Sequence, residues 1–537
     1  MNRKIAAALI CTSLITTFSF ATPVLAVSDD MVGYVGLNNY YDDFYDSYDN
    51  YGDSHWIAEY REESGMSYAQ GINVCLNGEY LDFGSAAPTA KDGRTMVPLR
   101  AFFEKLGADI AYDQGRITVQ MEDGTTIEMH LDDTQLAYTK DGKTTEITMD
   151  VVPYSEPVTG RTYIPVRYVA DVLGYEVSWD DFYEVAYIND WDGLQVELNE
   201  NFTVANRFLA AAQARWEADK NYNSKDKITV SGTLYGEDED DTATFSLKGN
   251  TYFNHSAINS DLTVSADLGG MKDTIFSELP DEVVDAINAL NGSRFQIIAD
   301  LENGAFYGKG SRLSEMSGGA LPDDTWLSSS LDKEEATALY DAAGSFTDKT
   351  LTIGQLIVDQ AKNHSYSLED AYTDAVLGGK KLQLVLGDAY FTQNTSGKAV
   401  TYSTKGDMLT LMSRVDSMGL QDEFGLGGDM SVFGLMDAVG KQTLNYAMSF
   451  TLTEGKLSDY AITGKMKQNG TVPFEMSVDL KGNQNSATLS AAFKGTYIGK
   501  LEMQMNSTAV ETATEPLTVP PAGEKMLNLD DQLNKLW

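Results

Sequence analysis

Four histidines stand singly in this chain: His55, His130, His255 and His364. A copper or zinc centre needs two or three imidazoles or thiolates at hand, and no HxH, HExxH or HxxxH spacing supplies a pair. The two cysteines, Cys11 and Cys75, are 64 residues apart and neither has a histidine near it in sequence. No GxSxG elbow, P-loop or dinucleotide fingerprint at a strand–helix junction appears. Carboxylates are the opposite case. There are 80 Asp and Glu, so many that no acid/base pair is singled out. A secreted hydrolase using two carboxyls about 5–9 Å apart in a cleft therefore stays open as one function class. The run Glu237-Asp238-Glu239-Asp240-Asp241 reads as a solvated hairpin tip, with weak Ca²⁺ collection as its sharper reading. No catalytic, cofactor-binding or metal-binding residue is assigned, no cofactor is expected, and the protein is expected not to be an enzyme.

Charge removes further classes. Against those 80 acids stand 39 Lys and Arg, a net −41. Such a field repels nucleic acid and anionic membrane, so neither is expected as a partner. Residues 1–26 carry the marks of a secretory signal: Arg3 and Lys4, an apolar stretch from Ile5 to Phe20, and the small-residue ending Val24-Leu25-Ala26. The mature chain is expected to begin near Val27, which leaves Cys75 as its one thiol and a half-buried strand position as that thiol's expected place. No later stretch reaches the ~20 apolar residues of a membrane span. The expected location is outside the cell, secreted or loosely retained at a bacterial envelope.

Positioning elements are clearest where the sequence repeats. GRTMVPLRAFFEKLGADIAYD (93–113) returns as GRTYIPVRYVADVLGYEVSWD (160–180) at a constant offset of 67. A fixed-period repeat is one supersecondary unit used twice. In each copy a GRT turn feeds a short strand, Met96–Leu99 or Tyr163–Val166. A short helix follows, Ala101–Leu106 or Tyr168–Leu173. Pro98 and Pro165 close the strands. Gly107 and Gly174 fall where a left-handed helix C-cap is wanted. Arg100 and Arg167 are expected to pair with Glu104 and Asp171 one helical turn on. Pro98, Arg100, Gly107, Pro165, Arg167 and Gly174 form the expected structural core of the repeat.

Around the repeat the composition changes. Residues 27–69 alternate Tyr and Asp without an apolar period and read as a disordered acidic leader. Residues 193–537 read as a larger α+β domain. Helices are expected at Asn206–Asp219, from near Lys272, and at Glu334–Ala343, Ile353–Lys362 and Leu368–Val376. Strands are expected at Lys227–Tyr235 and Thr244–Phe253. Residues 445–506 are the strongest strand signal, a meander turning at Glu454-Gly455, Asn469-Gly470 and Gly482-Asn483. Its strands alternate one wet and one dry side, so helices are expected to cover the dry face. The Gly- and Met-rich stretch Met418–Gly440 offers Phe424, Leu426, Met430, Phe433 and Met436 as a candidate ligand lid.

The repeat also carries a family resemblance. The pattern V-x-L-N-G, then GRT-x-V-P-L-R, then E-x-L-G and a closing Asp resembles the copper amine oxidase N-terminal-like domain over residues 70–192. The resemblance implies a stalk domain, remote from catalysis in its namesake enzymes. Those enzymes build a quinone from Asn-Tyr-Asp/Glu-Tyr. Asn39-Tyr40-Tyr41-Asp42 departs from that motif, so the resemblance implies no copper. Residues 193–537 are similar in architecture to the curved half-barrels of bacterial lipoprotein carriers. The expected fold is α+β: a small duplicated antiparallel stalk domain, then a larger domain with a helix-covered, curved antiparallel meander. The expected function is a non-catalytic exported envelope protein, a stalk or adhesion module carrying a binding domain. Its expected partner is a cell-wall or surface component. The alternative is a carrier of lipid or another small hydrophobic ligand.

Overall fold

The computed structural model describes residues 60–531, less 215, 218, 236–239, 273–280, 332, 334–336, 338–350, 365–369, 422–441, 470–472, 496–498 and 530. The fold is α+β. It divides into two compact units. One runs to Glu200 and adds Ile353–Lys380; the other comprises Asn201–Thr352 and Lys381–Trp537.

In the first unit the two copies of the repeat meet directly. The chain forms β1 (Asn73–Leu76), β2 (Glu79–Tyr80), β3 (Thr89–Lys91), β4 (Arg94–Pro98) and α1 (Leu99–Lys105). Five more strands make an antiparallel sheet of their own: β5 (Asp109–Asp113), β6 (Arg116–Gln120), β7 (Thr126–His130), β8 (Gln135–Lys140) and β9 (Lys143–Thr148). Then come β10 (Tyr154–Ser155), β11 (Thr162–Pro165), α2 (Val166–Leu173), β12 (Glu176–Asp180) and β13 (Val185–Asn189). Strands β4 and β11, the GRT strands of the two copies, pair antiparallel with Val97 opposite Ile164. Both residues are 0% exposed, so each copy closes the core of the other. Phe102, Phe103 and Val169 from the two helices complete that core. One pairing departs from the antiparallel expectation: β1 lies parallel to β13, Asn73 beside Val185 through Leu76 beside Ile188. Parallel partners need no hairpin, and nothing local in sequence announces a partner more than a hundred residues away.

The leader ends earlier than composition suggests. Residues 60–63 make a helical turn. Tyr60 stacks on Tyr183 at 4.6 Å, and Met66 is buried beside Cys75, Val185 and Tyr187. Arg61, 3% exposed, donates from Nη1 to the Gly71 carbonyl at 3.0 Å and from Nη2 to the Tyr183 carbonyl at 2.6 Å. Arg61→Ala removes the hydrogen bonds of a buried guanidinium, and a loss of about 1–3 kcal/mol is expected. Urea denaturation of the variant checks it; an unchanged midpoint would return residues 60–69 to the leader. The remaining leader residues, 27–59, and the signal segment lie outside the described residues.

The first unit gains a helical layer that the sequence placed in the larger domain. Helix α3 (Trp191–Glu200) belongs to it, as does most of two later helices that begin at Ile353 and Asp370. Trp191 packs against Tyr372 at 5.3 Å. Lys362 reaches Glu176 at 2.5 Å.

The second unit opens with α4 (Thr203–Gln213). The expected helix began at Asn206. It starts three residues earlier because the Asp388 carboxylate accepts the backbone N–H groups of Thr203 and Val204 at 2.9 and 2.8 Å. Then follow β14 (Asn221–Leu234), β15 (Asp241–Phe253), β16 (Ala257–Asp267), α5 (Asp281–Leu290), β17 (Arg294–Asp300), β18 (Ala305–Gly310) and β19 (Trp326–Ser330). The acidic run connects β14 to β15, whose register closes at Leu234 opposite Asp241; Glu237, Asp238 and Glu239 lie outside the described residues. Helix α6 (Ile353–His364) and the first part of α7 (Asp370–Leu386) are those of the first unit. Most of the expected helix at 334–343 lies outside the described residues. The chain then makes β20 (Thr392–Ser396), β21 (Ala399–Asp407), α8 (Met408–Met418), β22 (Gln442–Thr453), β23 (Lys456–Gln468), β24 (Phe474–Gly482), β25 (Ser486–Gly495), β26 (Gly499–Thr512) and β27 (Met526–Asn528).

These strands form one 14-stranded sheet, β20-β21-β22-β23-β24-β25-β26-β14-β15-β16-β17-β18-β19-β27. It is curved. The meander at 445–506 is its β22–β26 stretch, with Glu454 at φ 53° and Gly455 at φ 82° forming the first turn. Close approaches accompany the curl. Tyr460 lies over its cross-strand partner Gly482, where a Cβ would stand 2.4 Å from the tyrosine oxygen. Any side chain there would push the ring off the sheet.

Candidate functional site

Of the residues singled out in the repeat, Pro98 and Pro165 occupy the N-caps of α1 and α2. Gly174 is the left-handed C-cap of α2 at φ 81°, and Gly107 is left-handed at φ 71°, just past the end of α1. Arg100 and Arg167 stand exposed. Neither makes the expected ion pair with Glu104 or Asp171 among the described residues. Both lie in the first turn of their helices with side chains in water, where an i,i+4 pair gains only a few tenths of a kcal/mol. The GRT arginine of the first copy takes that part instead: Arg94 reaches Asp150 at 2.5 Å. The candidate lid residues Phe424, Leu426, Met430, Phe433 and Met436 lie outside the described residues. Among the described residues no group of three or more His, Cys, Asp or Glu could hold a metal ion.

The side chains that could do something converge on one face of the large sheet. Register fixes which residues share it. Met448, Ile462, Leu480, Leu489, Met505, Ile228, Leu247 and Val264 stand opposite one another from β22 across to β16. The next row toward the β25–β26 connection reads Val478, Ala491, Met503, Val230 and Phe245. The opposite face of the same strands carries Lys227, Thr229, Glu502, Gln504 and Lys494, as period-2 alternation demands.

This apolar face is filled on one side and half-open on the other. Toward β21–β23, Phe450 is 0% exposed and packs against Tyr402 at 5.0 Å and Phe208 of α4 at 5.3 Å. Helix α8 packs Met408 against Leu444 and Met466. Its Arg414 is buried, stacks on the Tyr390 ring at 3.7 Å and donates to the Leu384 carbonyl and the Tyr446 hydroxyl. That cation is engaged in holding the helix to the sheet. Across β24, β25, β26, β14 and β15 the face is mixed: Leu480 and Met505 are buried, whereas Val478, Ala491, Met503, Val230 and Phe245 are only half-buried and Leu501 is 52% exposed.

At the margin of that half-open stretch, the row Ala487, Ser507, Asp226, Gly249, Leu262 puts a carboxyl on the dry face. Asp226 is 3% exposed. Ser224 donates its hydroxyl to Oδ2 at 2.6 Å, and Ser507 donates to Oδ1. Thr251 and Ser260, hydroxyl to hydroxyl at 3.0 Å, continue the polar streak. Lys225 and Lys227, its neighbours along β14, are exposed on the other face. No charged group among the described residues acts on the Asp226 carboxyl. Burial pushes its pKa above the ordinary carboxylate value, and the two serine hydroxyls pull only part of the way back.

That shift has a sign. The folded state holds the proton to higher pH than the unfolded chain does. Stability from this group is therefore present below the ordinary carboxylate pKa and lost as pH rises through the raised one. Asp226→Asn keeps the shape and removes the charge. The variant is expected to be more stable than the parent at pH 8, with the gap closing toward pH 4. Urea titrations across that range check it, and a gap independent of pH would contradict it.

Sequence reading missed Asp226 because Tyr-Asn-Ser-Lys-Asp-Lys looks like a wet approach to a strand starting at Lys227. The signal was there: Tyr222, Ser224, Asp226 and Ile228 share one parity.

Residues 75–188 match the family model of the copper amine oxidase N-terminal domain. The match supports the stalk-domain assignment of the repeat and fits a non-catalytic, stalk-like module. No curated protein matches the chain. No helix among the described residues is long and apolar enough to cross a membrane.

Proposed function

We propose that this is a non-catalytic exported protein of the cell envelope, in which the repeat domain is a stalk and adhesion module and the second unit binds a hydrophobic ligand. One observation carries the binding half: the in-register apolar row Val478, Ala491, Met503, Val230 and Phe245 stays half-open, next to a part of the same face that helices fill. Water against that much aliphatic surface costs about 25 cal/mol per Å². A fold that covers one part of the face with α4 and α8 and leaves that row half-open fits a surface kept for a ligand. Export rests on the signal pattern of residues 1–26, and the stalk role on the domain match.

Two experiments test the halves separately. Purified cell walls should pellet the chain from Val27 on; a protein left in the supernatant would overturn envelope retention. Native mass spectrometry of the same chain, purified without detergent from its own cells, should show a bound apolar species. A bare mass, unchanged when apolar compounds are added, would overturn the binding half. The domains cannot be separated by cutting near residue 199, because Ile353–Lys380 belongs to the first unit.

A further inference from the structure

We propose that Asp226 anchors the head group on this face, and that the ligand is a cationic amphiphile: a long alkyl chain ending in an ammonium group. The inference rests on the reading of the face as a ligand surface and names the class of ligand.

A carboxyl on an apolar sheet face is costly, and proteins that bury one ordinarily give it a cation. Asp226 has none. Its two oxygens accept from Ser224 and Ser507, a pattern that serves the ionised, acceptor-only form. Hydroxyls of this kind satisfy lone pairs and leave the net charge uncompensated. An apolar side chain at this position would remove that cost from the fold. A carboxyl kept there against its cost is what a charged ligand group would need.

Position supports the same reading. Asp226 is two residues along β14 from Ile228, which is half-buried and lies on the same face. Two residues of strand span about 7 Å. Asp226 is 3% exposed, so a head group takes the place of a serine hydroxyl on the carboxyl and lays its alkyl chain along Ile228, Val230, Met503 and Ala491. On the other flank the wall is closed: Leu262 lies over Gly249, where a Cβ would come within 2.3 Å of the leucine. The sign of the ligand is reinforced at long range, since a net charge of −41 draws cations and repels anions. Arg414 does not offer an anion site in compensation, because its guanidinium is committed to Leu384, Tyr446 and the Tyr390 ring.

The test is a calorimetric titration of the chain from Val27 on with three ligands of one length, decylammonium, decanol and decanoate, below their micelle concentrations. Decylammonium is expected to bind at least about tenfold tighter than decanol, and decanoate weakest. In Asp226→Asn, with a cooperative melt to show that it is folded, the amine is expected to fall to the alcohol's affinity. In Glu502→Gln, which removes a carboxylate from the wet face, the preference should persist. It should also persist in high salt, where surface attraction is screened. Equal binding of amine and alcohol to the parent would overturn the head-group assignment while leaving the apolar face standing. So would an amine preference that survives Asp226→Asn. Failure of both ligands to bind would overturn the inference together with the reading of the face.

Discussion

Phe450→Ala is expected to destabilise the second unit by about 3–5 kcal/mol. The ring is 0% exposed. It stacks on Tyr402 at 5.0 Å with an interplanar angle of 23°, and meets Phe208 at 5.3 Å and Phe391 at 6.4 Å. Its cross-strand partner Tyr460 also meets Phe208, at 5.5 Å. One substitution thus removes the ring against which α4 seats on the sheet. The pair energies of aromatic contacts add to the lost burial. The cavity does not collapse easily, because the surrounding rings come from β21, β23, α4 and, with Phe391, the residue just before β20. Hydrogen exchange of peptides from β22 and β23 reads the effect, with protection expected to fall on the order of a hundredfold or more. A shift below about threefold would mean that the helices are not seated through this ring.

Ala491→Trp is expected to reduce binding of an apolar ligand by about tenfold or more, at a stability cost under about 1 kcal/mol. Ala491 sits mid-row between Val478 and Met503 and is half-buried. On a half-open face an added indole occupies the ligand's place and gains burial of its own. On a filled face the same change would overpack and cost about 1–3 kcal/mol. Stability and binding therefore move in opposite patterns under the two structures, and measuring both on one variant distinguishes them.

Much of this architecture was legible in the chain. The GRT repeat gave both strand–helix units, because its glycines and prolines mark caps and strand ends by local sterics alone. The alternation of Phe474, Met476, Val478 and Leu480 with Glu475, Ser477 and Asp479 gave the meander and its dry face. What could not be read was long-range. The parallel pairing of β1 with β13 and the return of Ile353–Lys380 to the first unit depend on partners far away in sequence. The capping of α4 by Asp388 is of the same kind. The buried carboxyl was hidden for another reason. Its own strand is polar on both sides at that end, so hydropathy marks no boundary there; only register, running through Ser507 and Gly249, shows which side Asp226 faces. The expected Arg100 and Arg167 ion pairs failed because spacing permits such a pair without making it favourable in water.

The most direct test of the central claim, that the half-open face is a ligand surface, is a titration of the chain from Val27 on with a neutral fluorophore whose emission shifts in apolar surroundings, run beside Ala491→Trp. A saturable blue-shifted signal in the parent, lost in the variant, is the expected result. A signal that never saturates, or that is the same in both proteins, would contradict the claim and make the face part of the core.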